Sequence, residues 1–197
     1  MVKRLFDIVL SFVGLLMLTP LFVICSYMIM RDSEGPVLFR QERVGRHGRL
    51  FVIHKFRTMK AVSKVNSSLT VGKDSRITDV GHWLRRYKLD ELPQLFDVLL
   101  GHMSIVGPRP EIKEFIDIYP INIRDRVLSV RPGITDMAAI EMVDENKILG
   151  EYEDFRKAYV EVILPIKQKL YIDYVNDNNV FIDIKIIFLT FKKILSL

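Results

Sequence analysis

Asp90 and Glu91 stand side by side in "KLDELPQL", with Arg85, Arg86 and Lys88 just before them and an apolar run just after. Successive residues on a helix point about 100° apart. The two carboxylates therefore cannot grip one atom symmetrically. One can face a reacting centre while the other reaches a metal ion or a neighbouring group. At a helix start the partial positive charge of the backbone stabilises both carboxylates and also draws phosphate. An ionised carboxylate is a poor general base but a competent nucleophile toward phosphorus. A divalent cation eases its approach to an anionic diphosphate. The same pair is also an ordinary capping and dipole choice, and taken alone that is its commoner use.

The cations around the pair shift the balance. Lys55 and Arg57 lie in "HKFRTM", Arg85 and Arg86 about one helical turn before the pair, and Arg109 between Pro108 and Pro110. Arg131 precedes Pro132 and Gly133. A proline-flanked arginine has a restricted backbone and presents a planar fork suited to phosphate oxygens. Any one of these is ordinarily a solvated surface cation. Several in rigid turns around a carboxylate pair point to phosphate handling.

Other chemistries find little support. His47, His54, His82 and His102 have no metal-ligand spacing. The single cysteine, Cys25, lies in an apolar run and permits no disulfide framework or thiolate zinc cluster. There is no phosphate-binding glycine loop of the Walker type and no dinucleotide fingerprint. The net charge of +5 favours anionic partners, but no nucleic-acid module is visible.

The elements that must position these residues begin with an apolar N-terminal run. Over residues 5–30 the only formal charge is Asp7. That is long enough to cross a bilayer and too long for a secretory signal peptide. Yet cations flank both ends: Lys3 and Arg4 before, Arg31, Arg40, Arg43, Arg46 and Arg49 after. The positive-inside rule wants both flanks in the cytoplasm. A helix that bends at Thr19 and Pro20 and returns to the same face resolves the conflict.

Beyond it, "PVLFRQERV" and "RLFVIHKFRTM" read as two strands of a hairpin. Residues 61–75 are polar and read as a mobile loop. "DVGHWLRRYKLDELPQLFDVLLG" has helical spacing, with Asp90 as an N-cap, Pro93 in the first turn and Gly101 as the stop. "SIVGPRPE" and "RPGITD" read as rigid turns. Residues 150–175 read as helical with an interruption at Pro165. The tail, residues 181–197, reads as an amphipathic helix in a membrane interface, its lysines reaching toward head groups.

Taken together, the motifs resemble the bacterial sugar transferase family, the small monotopic phosphoglycosyl transferases. The resemblance runs through "KRLFDIVLS" and "LTPL", "GPVLFRQERVGRHGRLFVIHKFRTM", "LDELPQLFDVLLGHMSIVGPRPE", "VRPGIT" and "DIKIIFLTFKKIL", nearly the whole chain. It implies an α+β, mainly helical fold. A re-entrant membrane helix occupies residues 1–31, and a cytosolic catalytic domain with a short β-hairpin occupies 32–197. It implies transfer of a phospho-sugar from a UDP-sugar to polyprenyl (undecaprenyl) phosphate, with UMP released, at the cytosolic face of the bacterial inner membrane. Asp90 is then the nucleophile of a ping-pong cycle, and Glu91 helps Asp90 hold Mg²⁺. Lys55, Arg57, Arg85, Arg109 and Arg131 surround the phosphates, Thr19 and Pro20 form the helix break, and phospholipid is a partner. A homodimer is compatible with all of this.

The sequence departs from the family after "GIT". Many members continue Gly-Trp-Ala-Gln-Val-Asn-Gly-Arg, whereas this chain reads "DMAAIEMVDENKIL". The identity of the sugar is left open by that change, as is the glycan being built. A non-catalytic adaptor on anionic lipid, or a lipid-phosphate hydrolase using the same aspartate, are the rival readings.

Overall fold

The computed structural model describes residues 2–60, 74–142 and 145–196. The apolar N-terminal run forms one helix, α1 (Val2–Asp32). Its 31 residues give a length of about 46 Å at 1.5 Å per residue. It is the one helix, among the described residues, long and apolar enough to cross a membrane. Most of its large side chains are exposed, including Leu16, Met17 and Val23. The chain does not break at Thr19 and Pro20 as expected. Pro20 lies inside a continuous helix. The Thr19 hydroxyl donates to the Leu15 carbonyl at 2.8 Å, not to the Leu16 carbonyl that the missing proline donor leaves free.

Both ends of α1 are tied to the rest of the protein. At the N-terminal end, Lys3 Nζ donates to Asp183 at 2.6 Å and to the Val106 carbonyl at 3.1 Å. Arg4 donates to the carbonyls of Val98 and Leu99. Asp7 accepts from the Ser104 hydroxyl and the Ile105 amide. At the other end, the Asp32 carboxylate accepts from the Val80 amide at 3.1 Å.

The expected hairpin is present as β1 (Leu38–Val44) and β2 (Leu50–Phe56). They pair antiparallel, with Leu38 opposite Phe56 and Val44 opposite Leu50. Of the polar stretch 61–75, only Asp74 and Ser75 lie within the described residues. Thr78 then caps α2 (Asp79–Arg86) by accepting from the Gly81 amide. Gly81 is needed there, because a Cβ would lie 2.2 Å from the Thr58 carbonyl oxygen. A short 3₁₀ turn, Leu89–Glu91, leads to α3 (Gln94–Leu100). Gly101, at φ +88°, ends α3 as the sequence predicts.

The two proline-glycine turns are more than turns. The start of the first and the middle of the second form β3 (Ser104–Val106) and β4 (Gly133–Thr135), which pair in parallel. The backbones nearly touch at Gly107 and Gly133. A Cβ on Gly133 would fall 2.1 Å from the Gly107 nitrogen. Gly107 donates to the Thr135 carbonyl and Gly133 to the Pro108 carbonyl. This lock fixes the backbone next to Arg109.

Between these strands come α4 (Lys113–Ile116) and α5 (Ile121–Val127). After them come α6 (Met137–Glu141), α7 (Glu145–Gly150) and α8 (Phe155–Ala158). A π-helical stretch, Tyr159–Ile163, then joins α9 (Leu164–Asp177). Pro165 sits in the first turn of α9. Its missing donor stops the regular ladder, and the chain widens just before it. The last helix is α10 (Val180–Leu195). Ile186 and Asp183 face inward; Phe181, Phe188, Phe191 and Leu195 are exposed. One core packs β2, α3, β3 and α10 around Ile53, Val98, Val106 and Ile186. A second packs Phe115, Tyr159, Leu164 and Tyr171 on the far side. The fold is thus mainly helical, with small two-stranded sheets and a long apolar N-terminal helix.

Candidate active site

Lys88 sets the direction of the carboxylate pair. Its backbone is left-handed, at φ +55°, a conformation uncommon outside glycine and asparagine. It turns the chain from α2 into the 3₁₀ turn that carries Asp90 and Glu91. Asp90 is therefore not the N-cap of α3; Pro93 holds that position. The two side chains diverge into different cavities. Asp90 opens onto a polar cleft of about 340 Å³, whose lining includes Lys55, Arg76 and Arg85. Glu91 turns the other way, onto a mainly apolar groove of about 180 Å³.

Glu91 is buried and bound on both oxygens. Lys55 Nζ donates to Oε1 at 2.7 Å. Arg109 grips the same carboxylate with two guanidinium nitrogens, one of them 3.2 Å from Oε2. Asp90 is half-buried, and no hydrogen bond to its carboxylate is formed among the described residues. Arg85 reaches the cleft with its Nε donating to the Thr58 hydroxyl at 2.8 Å, which fixes its stem.

The charges sort the pair. Burial raises the Asp90 pKa above the ordinary carboxylate value, and the adjacent Glu91 charge raises it further, against Lys55, Lys88 and Arg85. Burial opposes ionisation of Glu91 as well, but Arg109 and Lys55 outweigh it and hold its carboxyl well below the usual range. Lys55 is lowered by burial, with Glu91 pulling the other way. The result is one carboxylate locked in the ionised form and one more basic than usual. Pairs of groups pushed apart in this way are typical of reaction sites.

Lys55, Arg85 and Arg109 thus meet around the pair. Arg57 and Arg131 are placed differently from the expectation. The buried Arg57 guanidinium donates to the carbonyls of Ser33, Glu34 and Ile29. It closes the C-terminal end of α1, where carbonyls lack helical partners, while its side also lines the cleft. Arg131 Nε donates to the Gly101 carbonyl at 2.8 Å, beside Arg4 at the end of α3, outside both cavities. A basic side chain at a helix C-terminus satisfies its carbonyls and its dipole.

Among the cleft residues that escaped the sequence reading, Phe39, Gln41 and Arg43 of β1 all line one side of it. Period-two alternation along the hairpin was the available signal. These residues share one face, and Phe39 lies opposite Lys55 in the register. Arg43 is held by the Pro110 carbonyl at 3.1 Å and the Gln41 side chain at 2.7 Å. His54 also has a defined partner. Its Nδ1 lies 2.8 Å from Asp97 Oδ1, and its amide donates to Asp97 Oδ2. This ties β2 to α3 under the site.

Among the described residues, the divergent segment after "GIT" borders the groove, not the polar cleft: its Ala139 and Ile140 join Ile134 and Thr135 in the groove's wall. No cluster of three or more His, Cys, Asp or Glu that could hold a metal occurs among the described residues.

Residues 1–197 match the family profile described as "Bacterial sugar transferase". The chain is 39% identical, over 98% of its length, to the UDP-glucose:undecaprenyl-phosphate glucose-1-phosphate transferase of Escherichia coli K12, and covers 40% of that protein. It is 38% identical over 97% of its length to the undecaprenyl-phosphate glucose phosphotransferase of Komagataeibacter xylinus, covering 35% of it. A third relative is the UDP-N-acetylgalactosamine-undecaprenyl-phosphate N-acetylgalactosaminephosphotransferase of Aeromonas hydrophila. The chain is 33% identical to it over 99% of its length and covers 44% of it. The chain therefore spans well under half the length of these curated relatives. By its match from end to end, the chain belongs to the bacterial sugar transferase family.

Proposed function

We propose that this chain transfers a phospho-sugar from a UDP-sugar to undecaprenyl phosphate, with Asp90 as nucleophile. The observation that carries it is the division of labour in the pair: Glu91 held by two cations, Asp90 without a hydrogen-bond partner among the described residues in a cationic cleft. An Asp90 oxygen attacks the sugar-bearing phosphorus of the donor. The bond to the bridging oxygen breaks, and UMP leaves with that electron pair. The phosphosugar then rests on Asp90 as an acyl phosphate. An oxygen of undecaprenyl phosphate attacks the same phosphorus, and the Asp90 carboxylate leaves. The product is undecaprenyl diphosphate sugar. Lys55 and Arg85 supply fixed positive charge where the diphosphate oxygens sit.

Mg²⁺ fits the site in a restricted way. Both Glu91 oxygens are already held by cations, so Asp90 is the carboxylate positioned to hold the ion. Substrate phosphates and water would complete the shell, as is usual for magnesium. Bound there, it would supply charge neutralisation between two anionic reactants.

The contacts at both ends of α1 support a placement in which the unbroken helix keeps both of its ends on the cytosolic face of the inner membrane. Here Lys3, Arg4 and Asp32 all bond to the same catalytic unit. The sugar stays open, since relatives named for glucose and for N-acetylgalactosamine match at 39% and 33% identity.

The test is UMP release from a panel of UDP-sugars with undecaprenyl phosphate and Mg²⁺. Wild type releases UMP with at least one donor, and donor alone leaves a phosphosugar on Asp90 detectable by mass spectrometry. Asp90→Asn abolishes both. Near-normal turnover in that variant rules out the nucleophile assignment. No UMP from any donor favours an adaptor.

A further inference from the structure

Behind the wall of the polar cleft lies a row of buried charges that the chemistry above does not use. Arg43 is in the wall itself. Its guanidinium lies 3.9 Å from Glu111, the one carboxylate it pairs with among the described residues. Burial lowers the Arg43 pKa from its ordinary value, and Glu111 is the chief opposing influence. Glu111 is buried as well. Its Oε1 accepts from the Tyr159 hydroxyl at 2.8 Å, and its Oε2 is the oxygen that faces Arg43. The Glu111 carbonyl accepts from the Val44 amide at 3.0 Å, which pins this stretch of chain to the end of β1.

Lys167 of α9 completes the row. Its Nζ donates to the Tyr159 hydroxyl at 3.3 Å and lies 2.8 Å from the Glu145 carboxylate. Tyr159 and Lys167 are 8 positions apart. A regular helix would leave them about 80° apart around its axis. The π-helical stretch Tyr159–Ile163 takes up an extra residue in its turn, and so brings both onto one face. Burial, with Glu111 adding to it, pushes the Tyr159 hydroxyl far above its ordinary pKa, so it keeps its proton and donates. The hydrogen bonds therefore run one way, from Lys167 to Tyr159 and from Tyr159 to Glu111.

We infer that Glu111 is a positioning residue for the transfer: it fixes the Arg43 guanidinium in the wall of the UDP-sugar cleft, and Tyr159, Lys167 and Glu145 fix Glu111. This rests on the transferase reading and extends its donor site. Two observations favour positioning over plain core filling. Buried ion pairs stabilise a fold little or no better than apolar packing of the same volume, so packing alone gives no reason for Arg43, Glu111, Lys167 and Glu145 to meet here. The row also ends at the cleft. Residues 109–111 serve both sides of the carboxylate pair: Arg109 grips Glu91, while the Pro110 carbonyl and the Glu111 carboxylate hold Arg43. Arg43 then adds a fixed positive charge to the wall that an anionic diphosphate would meet.

The divergent segment gains a route to the cleft in this way. Glu145 belongs to it, and the contacts Glu145–Lys167, Lys167–Tyr159, Tyr159–Glu111 and Glu111–Arg43 join it to a cleft wall that its described residues do not line.

The experiment measures UMP release by the full chain in nanodiscs. In a ping-pong cycle, kcat/KM for each substrate reports its own half-reaction. Glu111→Gln keeps an acceptor for Tyr159 and removes the charge that faces Arg43. It lowers kcat/KM for the UDP-sugar about tenfold, the scale of one charged hydrogen bond, and leaves kcat/KM for undecaprenyl phosphate unchanged. Glu111→Asp recovers part of the loss. Tyr159→Phe keeps the ring packed on Phe115 and lowers the UDP-sugar value about threefold; it decides the matter if Glu111→Gln does not fold. In an Arg43→Met background Glu111→Gln has no further effect, as expected of a residue that acts through Arg43. A merely structural role lowers both kcat/KM values by one factor and persists in that background, and either result overturns the inference. A UDP-sugar kcat/KM equal to wild type in both Glu111→Gln and Tyr159→Phe overturns it too. UDP binding by calorimetry gives an arm without turnover: Glu111→Gln weakens it about tenfold when Arg43 is present and not when it is Met. A wild-type chain that releases no UMP removes the transferase reading instead, and UDP binding still decides whether Glu111 acts on the cleft.

Discussion

Glu91→Gln separates the electrostatic roles of the pair most cleanly. The substitution keeps the shape of the side chain and removes the charge that faces Lys55 and Arg109. Breaking a buried ion pair from one side costs about 3–5 kcal/mol, because the remaining charge is left uncompensated. The Lys55 and Arg109 side chains are 17% and 31% exposed. Water therefore recovers part of that cost, and a loss of about 2–3 kcal/mol is expected. In a chain of this size that corresponds to a fall in Tm of roughly 4–12 °C. The pH dependence has a definite sign. Glu91 is lowered below its ordinary 4.5, so its stabilisation is fully present above that value. It fades only as the pH falls through the lowered folded value. The gap between wild type and variant is thus flat near neutrality and closes in strong acid. Catalysis moves too. Asp90 is raised partly by Glu91, and the variant frees Lys55 to act on it. Both changes lower the Asp90 pKa. The acid limb of single-turnover UMP release, measured with donor alone, shifts to lower pH. A fixed or upward-shifted limb refutes the coupling, and an unchanged Tm refutes the ion-pair lock.

Further outcomes follow from the same contacts. Gly133→Ala places a Cβ 2.1 Å from the Gly107 nitrogen and should lower stability by about 3 kcal/mol, the upper range for overpacking; a denaturation midpoint within error of wild type would contradict the backbone lock. Arg57→Met removes the donors to the α1 terminus and should lower stability by about 2–3 kcal/mol, the scale of charged hydrogen bonds. A raised donor KM with unchanged melting would return Arg57 to the phosphate site. Chelation of divalent ions should stop UMP release and added Mg²⁺ restore it; release that persists in chelator rules out the proposed metal requirement.

What could be read from the sequence depended on how local the signal was. The hairpin announced itself by β-branched runs, and Gly101 by its place after an apolar helix. Asp90, Glu91 and Arg109 drew attention because carboxylates after cations and an arginine between prolines are local patterns, and the structure brings the three into one neighbourhood. That Arg57 and Arg131 turn to backbone carbonyls was hidden, because a sequence does not say what a guanidinium faces. Both meet the open carbonyls of distant helix ends, Arg57 those of α1 and Arg131 that of Gly101. The pairing of β3 with β4 was equally hidden. The strands are three residues each and lie far apart in sequence, and only the mutual approach of Gly107 and Gly133 makes them a unit.

The left-handed backbone at Lys88 explains how adjacent carboxylates acquire opposite tasks. On a continuous helix Asp90 would cap α3, with its oxygens engaged by backbone amides. A carboxylate in that position is stabilised as a charge and loses reactivity toward phosphorus. The 3₁₀ turn moves the cap to Pro93, which has no side-chain acceptor to offer, and leaves Asp90 facing the cleft. The cations that would otherwise neutralise it are restrained: Lys55 by Glu91 and Arg85 by Thr58. Both keep their charge near Asp90 without hydrogen-bonding it. In the proposed transfer, a diphosphate entering the cleft is the partner that satisfies them, and its arrival places phosphorus beside a carboxylate that no described residue hydrogen-bonds.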